Sequence, residues 1–134
     1  PYAIFPARQK SAVSKAITVH KALRLHDYGD NIYTMKGTPA DSVLVAKYYD
    51  KFKTPDLVLS GINQGDNAGL EPLLSSGTIG ACWEALLHGI PSIAFSVRHG
   101  RSLGANLNYL KQATKDVLDL LVPKLDPRVI YNVN

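Results

Sequence analysis

Cysteine is almost absent from this chain: among 134 residues only Cys82 is one, so no internal disulfide can form and no cysteine-based zinc site can be built. A lone thiol suits a reducing compartment, and a cytoplasmic protein is expected. Long hydrophobic runs are missing as well. Lys, Arg, Asp or Glu interrupts every stretch that approaches the ~18 apolar residues of a membrane span. The start has no charged region followed by an apolar one, so Pro1-Tyr2-Ala3-Ile4-Phe5-Pro6 reads as the end of a buried strand and a cut edge rather than a signal peptide. Neither G-x-x-x-x-G-K-[ST] nor G-x-S-x-G occurs, which disfavours a P-loop nucleotide hydrolase and an α/β-hydrolase serine nucleophile. Internal repeats, low-complexity tracts and long linkers are also lacking.

What remains is ordinary globular material. Hydrophobic residues make up 46% and charged residues 19%, enough apolar side chain for one core in a chain of single-domain length. Fifteen Lys and Arg against eleven Asp and Glu give a net charge of +4. The densest basic stretch, Arg8, Lys10, Lys15, Lys21 and Arg24, has no interleaved aromatics to stack on bases. Polymeric nucleic acid is therefore not expected, nor is a membrane, and a small phosphorylated ligand fits the charge better.

Residues 16–25 place Ile17, Val19, Leu23 and Leu25 on one face, the alternation of a strand with one dry side. Turn chemistry at 27–31 and the short run 32–35 complete a predicted β-hairpin that projects from the sheet. Thr38, Pro39 and Asp41 supply an N-cap, a first helical residue and the third-position carboxylate of a capping box. The helix they start carries an apolar stripe through Val43, Ala46, Tyr49 and Phe52. Leu57-Val58-Leu59 is a strand buried on both faces that opens into the polar loop 61–69. A helix over 79–88 closes at Gly89 and Pro91. A strand at 92–97, a loop at 98–104, an amphipathic helix at 105–121 ended by Pro123, and a last strand near 129–133 follow. Strand and helix alternation predicts an α/β sandwich of three layers with a mainly parallel sheet and right-handed crossovers, ligands binding beyond the carboxyl ends of the strands.

Three places at that end have side chains suited to chemistry. In Ser75-Ser76-Gly77-Thr78 a helix N-terminus offers free N–H groups and hydroxyls to a phosphate, and Gly77 lets an oxyanion approach the backbone; a serine there also serves simply as a cap. In Ser60-Gly61-Ile62-Asn63-Gln64-Gly65-Asp66-Asn67, Asn63 offers a neutral oxygen and Asp66 an anionic one to a hard cation; the same residues also make turns. Ser11, in Ser11-Ala12-Val13-Ser14 after the first strand, is a loop hydroxyl. His20, His26 and His88 lack a second His at ligand spacing and read as structural, Cys82 and Trp83 read as core, and His99 stands where it could approach a substrate.

Together these segments resemble the SurE (survival protein E) family of metal-dependent nucleotidases. Pro6 to Ser14 resembles the family's "AP…S-G-x-S" loop, with Ala12 in place of the usual glycine. Gly37-Thr38-Pro39-Ala40-Asp41-Ser42-Val43 is similar to "GTPxDCV", and Pro55 to Gly65 to "PDLVxSGIN.G". Ser76-Gly77-Thr78-Ile79-Gly80-Ala81 and Gly89-Ile90-Pro91-Ser92-Ile93-Ala94-Phe95-Ser96 resemble "SGTVGAA" and "G.PaiAxS".

The resemblance implies a Rossmann-like SurE fold and a divalent-metal phosphomonoesterase (Mg²⁺ or Mn²⁺) acting on nucleoside monophosphates and short polyphosphate, as a homo-oligomer, dimer or tetramer. It maps two metal ligands onto Ser11 and Asn63 and a phosphate cradle onto Ser76, Gly77 and Thr78. The family's first strand, ending in "NDDG", has no counterpart, for the chain contains no Asp-Asp pair. Residues 1–134 are therefore expected to be one SurE-like domain truncated at both ends. Such a chain should be inactive alone, with the acidic pair of its parent upstream of Pro1. The competing expectation is a phosphate-binding or oligomerisation module without catalysis.

Overall fold

The computed structural model describes residues 1–98 and 107–134. The helix expected over 105–121 is described from Leu107 onward, and the loop 98–104 and His99 lie outside the described residues, Arg98 excepted. The strands are β1 (Ala3–Pro6), β2 (Leu25–Asp27), β3 (Ile32–Met35), β4 (Val58–Gln64), β5 (Ser92–Val97) and β6 (Ile130–Val133). The helices are α1 (Pro39–Tyr48), α2 (Leu70–Ser75), α3 (Gly77–Leu87) and α4 (Leu107–Leu121), and a 3-10 turn, Val122–Lys124, holds Pro123.

The strands form two three-stranded sheets, β1-β3-β2 and β4-β5-β6. All pairings are parallel except β2 with β3. The α/β architecture with a mainly parallel sheet is thus as expected. The hairpin is smaller and does not project: only Leu25–Asp27 pairs with β3, which is itself the middle strand of its sheet.

Residues 16–24 form no strand, because α1 takes their backbone groups. Thr38 caps α1 by accepting from the Asp41 N–H at 3.1 Å, while the Asp41 carboxylate accepts from the Thr38 N–H at 2.8 Å. The same carboxylate, fully buried, also accepts the Thr18 N–H at 2.8 Å and the Thr18 hydroxyl at 2.6 Å. The Thr38 hydroxyl donates to the Ala16 carbonyl at 2.6 Å. Tied to the helix start, the segment leaves Val19 73% exposed on the face that alternation had made dry.

Helix α1 stops at Tyr48, so the apolar stripe is shorter than its spacing suggested, and Phe52 instead stacks on Tyr2 and meets Tyr33 edge-on. Val43 joins Ala81, Ala85 and Ile90 in one core cluster against Val58; Ile79, Cys82 and Ala94 form a second with Leu73, Trp83 and Ile130. Ala94 and Ile130 therefore face α3. On the opposite face of that sheet, Phe95 and Val133 line a cavity with Leu110, Ala113 and Val117 of α4. Sheet β4-β5-β6 is thus sandwiched between α3 and α4. The connections β4–α3–β5 and β5–α4–β6 step in the same direction across the sheet but over opposite faces, so they have opposite hands. The uniform right-handedness expected from sequence does not hold.

Candidate functional site

The segment carrying Ser11 lies across the first turns of α3. The Ser14 N–H donates to the Ser75 carbonyl at 2.7 Å. A side chain at Gly80 would collide with the Ser14 carbonyl, and one at Gly77 would lie 3.0 Å from Val13 Cγ2 and 3.2 Å from the Lys10 carbonyl. Farther along α3, Lys15 Nζ reaches the buried Glu84 carboxylate at 2.6 Å. Two glycines and a carboxylate along one helix therefore seat this loop, and Ser11 itself is exposed, with its hydroxyl 3.4 Å from Gln9 Nε2.

At the N-terminus of α3, the Ser76 hydroxyl accepts from the Thr78 N–H at 3.2 Å and the Ile79 N–H at 3.4 Å, an ordinary serine cap. The space beside Gly77 is narrowed by Val13, Lys10 and Pro39, so a side chain there would have to push these neighbours back by a few tenths of an ångström. Gly77 and Thr78 still present this helix end, with its partial positive charge, immediately beside the Ser11 loop.

Sequence expected β4 to end near Leu59; it continues through Asn63 to Gln64, with a register shift against β5 between Ser60 and Asn63. Gly61 permits this, with φ of +122° and the Phe95 carbonyl where a side chain would stand. Asn63 donates from its amide nitrogen to the Gly65 carbonyl at 2.7 Å, and among the described residues nothing donates to its amide oxygen. Asp66 is exposed. Beside Asn63, Ile62 helps line a cavity of about 280 Å³ with Arg98, Tyr109 and Asn134.

Beyond these strand ends lies an amide cluster that motif reading did not single out. Asn67, 4% exposed, donates from its side chain to the Ser96 hydroxyl at 2.8 Å and from its backbone to Asn134 Oδ1 at 2.6 Å. Asn132 donates to the Asn67 carbonyl at 3.0 Å, while its own buried Oδ1 has no partner among the described residues. The signal was the repeated Asn in Tyr131-Asn132-Val133-Asn134, polar residues at the end of an apolar strand. Glu84 was also missed. It is 4% exposed and bonds His88 Nε2 at 2.9 Å as well as Lys15, which gives His88 a structural role. His20 and His26 are exposed. No helix among the described residues is long and apolar enough to cross a membrane.

Ser11 and Asn63 suit a hard cation in kind, one hydroxyl and one amide oxygen, but not in number or charge. Among the described residues no group of three or more His, Cys, Asp or Glu is placed to hold a metal ion. These residues by themselves do not make a complete Mg²⁺ or Mn²⁺ site.

The family described as Survival protein SurE matches residues 2–134. This chain belongs to the SurE family. A "5'-nucleotidase SurE" of Rhizorhabdus wittichii is 39% identical over 98% of this chain and 53% of its own length. One of Geobacter sulfurreducens is 37% identical over 90% of this chain and 47% of its own. The crystal structure of the SurE protein from Aquifex aeolicus superposes with a TM-score of 0.69 and 37% identity, over 87% of this chain and 48% of that one. The SurE-like chain described here thus spans about half the length of these relatives.

Proposed function

We propose that the protein containing this chain is a metal-dependent phosphomonoesterase that hydrolyses nucleoside monophosphates, and short polyphosphate as well. The observation that carries this is the docking of the Ser11 loop on the N-terminus of α3 in a chain whose relatives bear the name 5'-nucleotidase. It puts a candidate cation ligand beside a helix end suited to phosphate.

In this reading Ser11 and Asn63 each give one neutral oxygen to Mg²⁺ or Mn²⁺, and an acidic pair upstream of Pro1 supplies the charge they lack. A divalent cation there supplies Lewis acidity and an activated water. The chain's own part is to bind and orient: Ser76, Gly77 and Thr78 hold the phosphate, the Ser76 hydroxyl donating its proton to it while its oxygen accepts the cap N–H groups. The cavity of about 280 Å³ lined by Ile62, Ser96, Arg98 and Tyr109 offers room for part of the nucleoside. Without the acidic pair the 134-residue chain is inactive. The parent is a homo-oligomeric enzyme of the cytoplasm.

The test is phosphate release from nucleoside monophosphates by the parent protein, upstream segment included. Activity should vanish with EDTA and return with Mg²⁺ or Mn²⁺. Asn63→Ala and Ser11→Ala should each raise the metal concentration needed for half-maximal rate by about tenfold or more. Metal-independent turnover, or nucleotide binding with no turnover at any metal concentration, would overturn the proposal.

A further inference from the structure

Between Ala46 and Gly77 only one of the described residues is buried, and it is polar: Asn67, 4% exposed. Its loop has little stiffness of its own. Gly65 and Gly69 flank it with φ of +124° and +92°, where glycine moves freely and other residues are strained, so the backbone must be held from outside. Among the described residues, hydrogen bonds to β5 and to residues 132–134 do this. Gly65 makes one, from its N–H to the Val97 carbonyl at 2.8 Å. Asn67 makes the others, through its side chain to Ser96, its N–H to Asn134 and its carbonyl to Asn132.

The receiving side points the same way. Ile130, two residues before Asn132 and on the same face of β6, packs into the apolar cluster of Ile79, Cys82 and Ala94. Asn132 instead leaves its Oδ1 buried with no donor among the described residues, a cost that an apolar side chain would avoid. What the amide contributes there is its bond to Asn67. These bonds bear on Asn63 through Gly65, which lies between the Val97 and Asn67 anchors. The Gly65 carbonyl accepts the Asn63 side-chain N–H at 2.7 Å, and that bond sets which way the Asn63 amide turns.

We propose that Asn67 is a positioning residue for Asn63. Clasped by Ser96, Asn132 and Asn134, it fixes the Gly65 carbonyl and, through that carbonyl, the direction of Asn63 Oδ1. Without the clasp the two glycines let the carbonyl swing, and the amide oxygen loses its fixed aim. Asn67 acts through Asn63 alone, as an outer support of the kind on which metal ligands rely. The use of the Asn63 oxygen on a cation rests on the nucleotidase proposal; the clasp does not.

Asn67→Ala tests this in the parent protein, upstream segment included. The variant keeps both backbone bonds of Asn67 and loses only the one to Ser96, so the fold should survive. By NMR on the metal-free protein, the Gly65 amide should exchange about tenfold faster or more, and the Asn63 side-chain N–H signals should move toward those of an unbonded amide. The Val58 amide, at the other end of the β4–β5 pairing, should keep its rate. Calorimetry with Mn²⁺ alone should show the dissociation constant rising about tenfold. Ser96→Ala removes the same bond from the other side and should raise it as much, and the double variant should raise it no further. Gly89→Ala, which strains the turn at the far end of α3, should leave it as in the wild type. An unchanged Gly65 rate, unmoved Asn63 signals, or a Mn²⁺ affinity that Asn67→Ala leaves intact or Gly89→Ala lowers equally would each overturn the proposal. A wild-type parent that binds no Mn²⁺ would refute the nucleotidase reading instead, and the Gly65 and Asn63 signals alone would then decide for or against the clasp.

Discussion

Asp41 and Thr18 stand 23 residues apart in sequence, yet the buried carboxylate of the first accepts both the backbone N–H and the hydroxyl of the second. Through this pair the loop after β1 and the start of α1 become one unit. Asp41→Ala leaves the Thr18 and Thr38 donors without their acceptor, and a loss of about 3 kcal/mol follows. Urea unfolding should show the midpoint falling; Asp41→Asn, which keeps one acceptor oxygen, should recover part of it. A change under 1 kcal/mol would mean that the segment is held by something else.

Glu84 plays the corresponding part for α3. Its carboxylate is 5% exposed and shared between Lys15 and His88. Lys15→Met should destabilise the chain by about 2 kcal/mol, since it withdraws a charged partner from a buried carboxylate. Because Lys15 follows Ser14 directly, the Ser14 amide should also exchange faster, a local effect that general destabilisation would spread over all of α3.

Gly80→Ala sets a new methyl group against the Ser14 carbonyl, so either the loop or the helix must move. A cost of about 2 kcal/mol or more is expected. Gly89→Ala is the control. Among the described residues no atom beyond its chain neighbours lies within 4 Å of a side chain there, but φ is +66°, so strain alone should cost about 1 kcal/mol. If Gly80→Ala proves the milder of the two, the loop does not sit on the helix as described.

Burial pushes the Cys82 thiol up from its ordinary 9.0 to about 12. The fold prefers the neutral thiol, so its contribution is complete below pH 9.0 and is lost as pH rises toward 12. Over that window stability should fall by about 1.4 kcal/mol per pH unit from this group. Cys82→Ala should flatten that part of the curve. At pH 8 a thiol reagent should label the unfolded chain and leave the native one untouched; rapid native labelling would show that Cys82 is accessible.

Much of the scaffold was legible because its signals are local. Thr38, Pro39 and Asp41 mark a helix start by chemistry confined to four residues, and the run 92–97 is apolar enough to be a strand in any context. Residues 16–24 misled because alternation records only which side chains are apolar. It does not record that Thr18 and Ala16 bond to a helix cap 22 or 23 residues away. The continuation of β4 was hidden by Gly61, a turn residue in most settings but here the one residue that fits against the Phe95 carbonyl. Of the candidate site, individual residues could be named in advance, whereas the Asn67 cluster could not, since its members come from three separate segments.

The packing of α1 on α3 through Val43, Ala81 and Ala85 has a consequence for cooperativity. Among the described residues the two half-sheets are joined through α1 against α3 and through the 10–15 loop, with no strand pairing between them. Either joint can loosen without breaking a backbone ladder. Such a molecule should melt in two steps rather than one, each half-sheet keeping its own ladder while the contact between α1 and α3 parts.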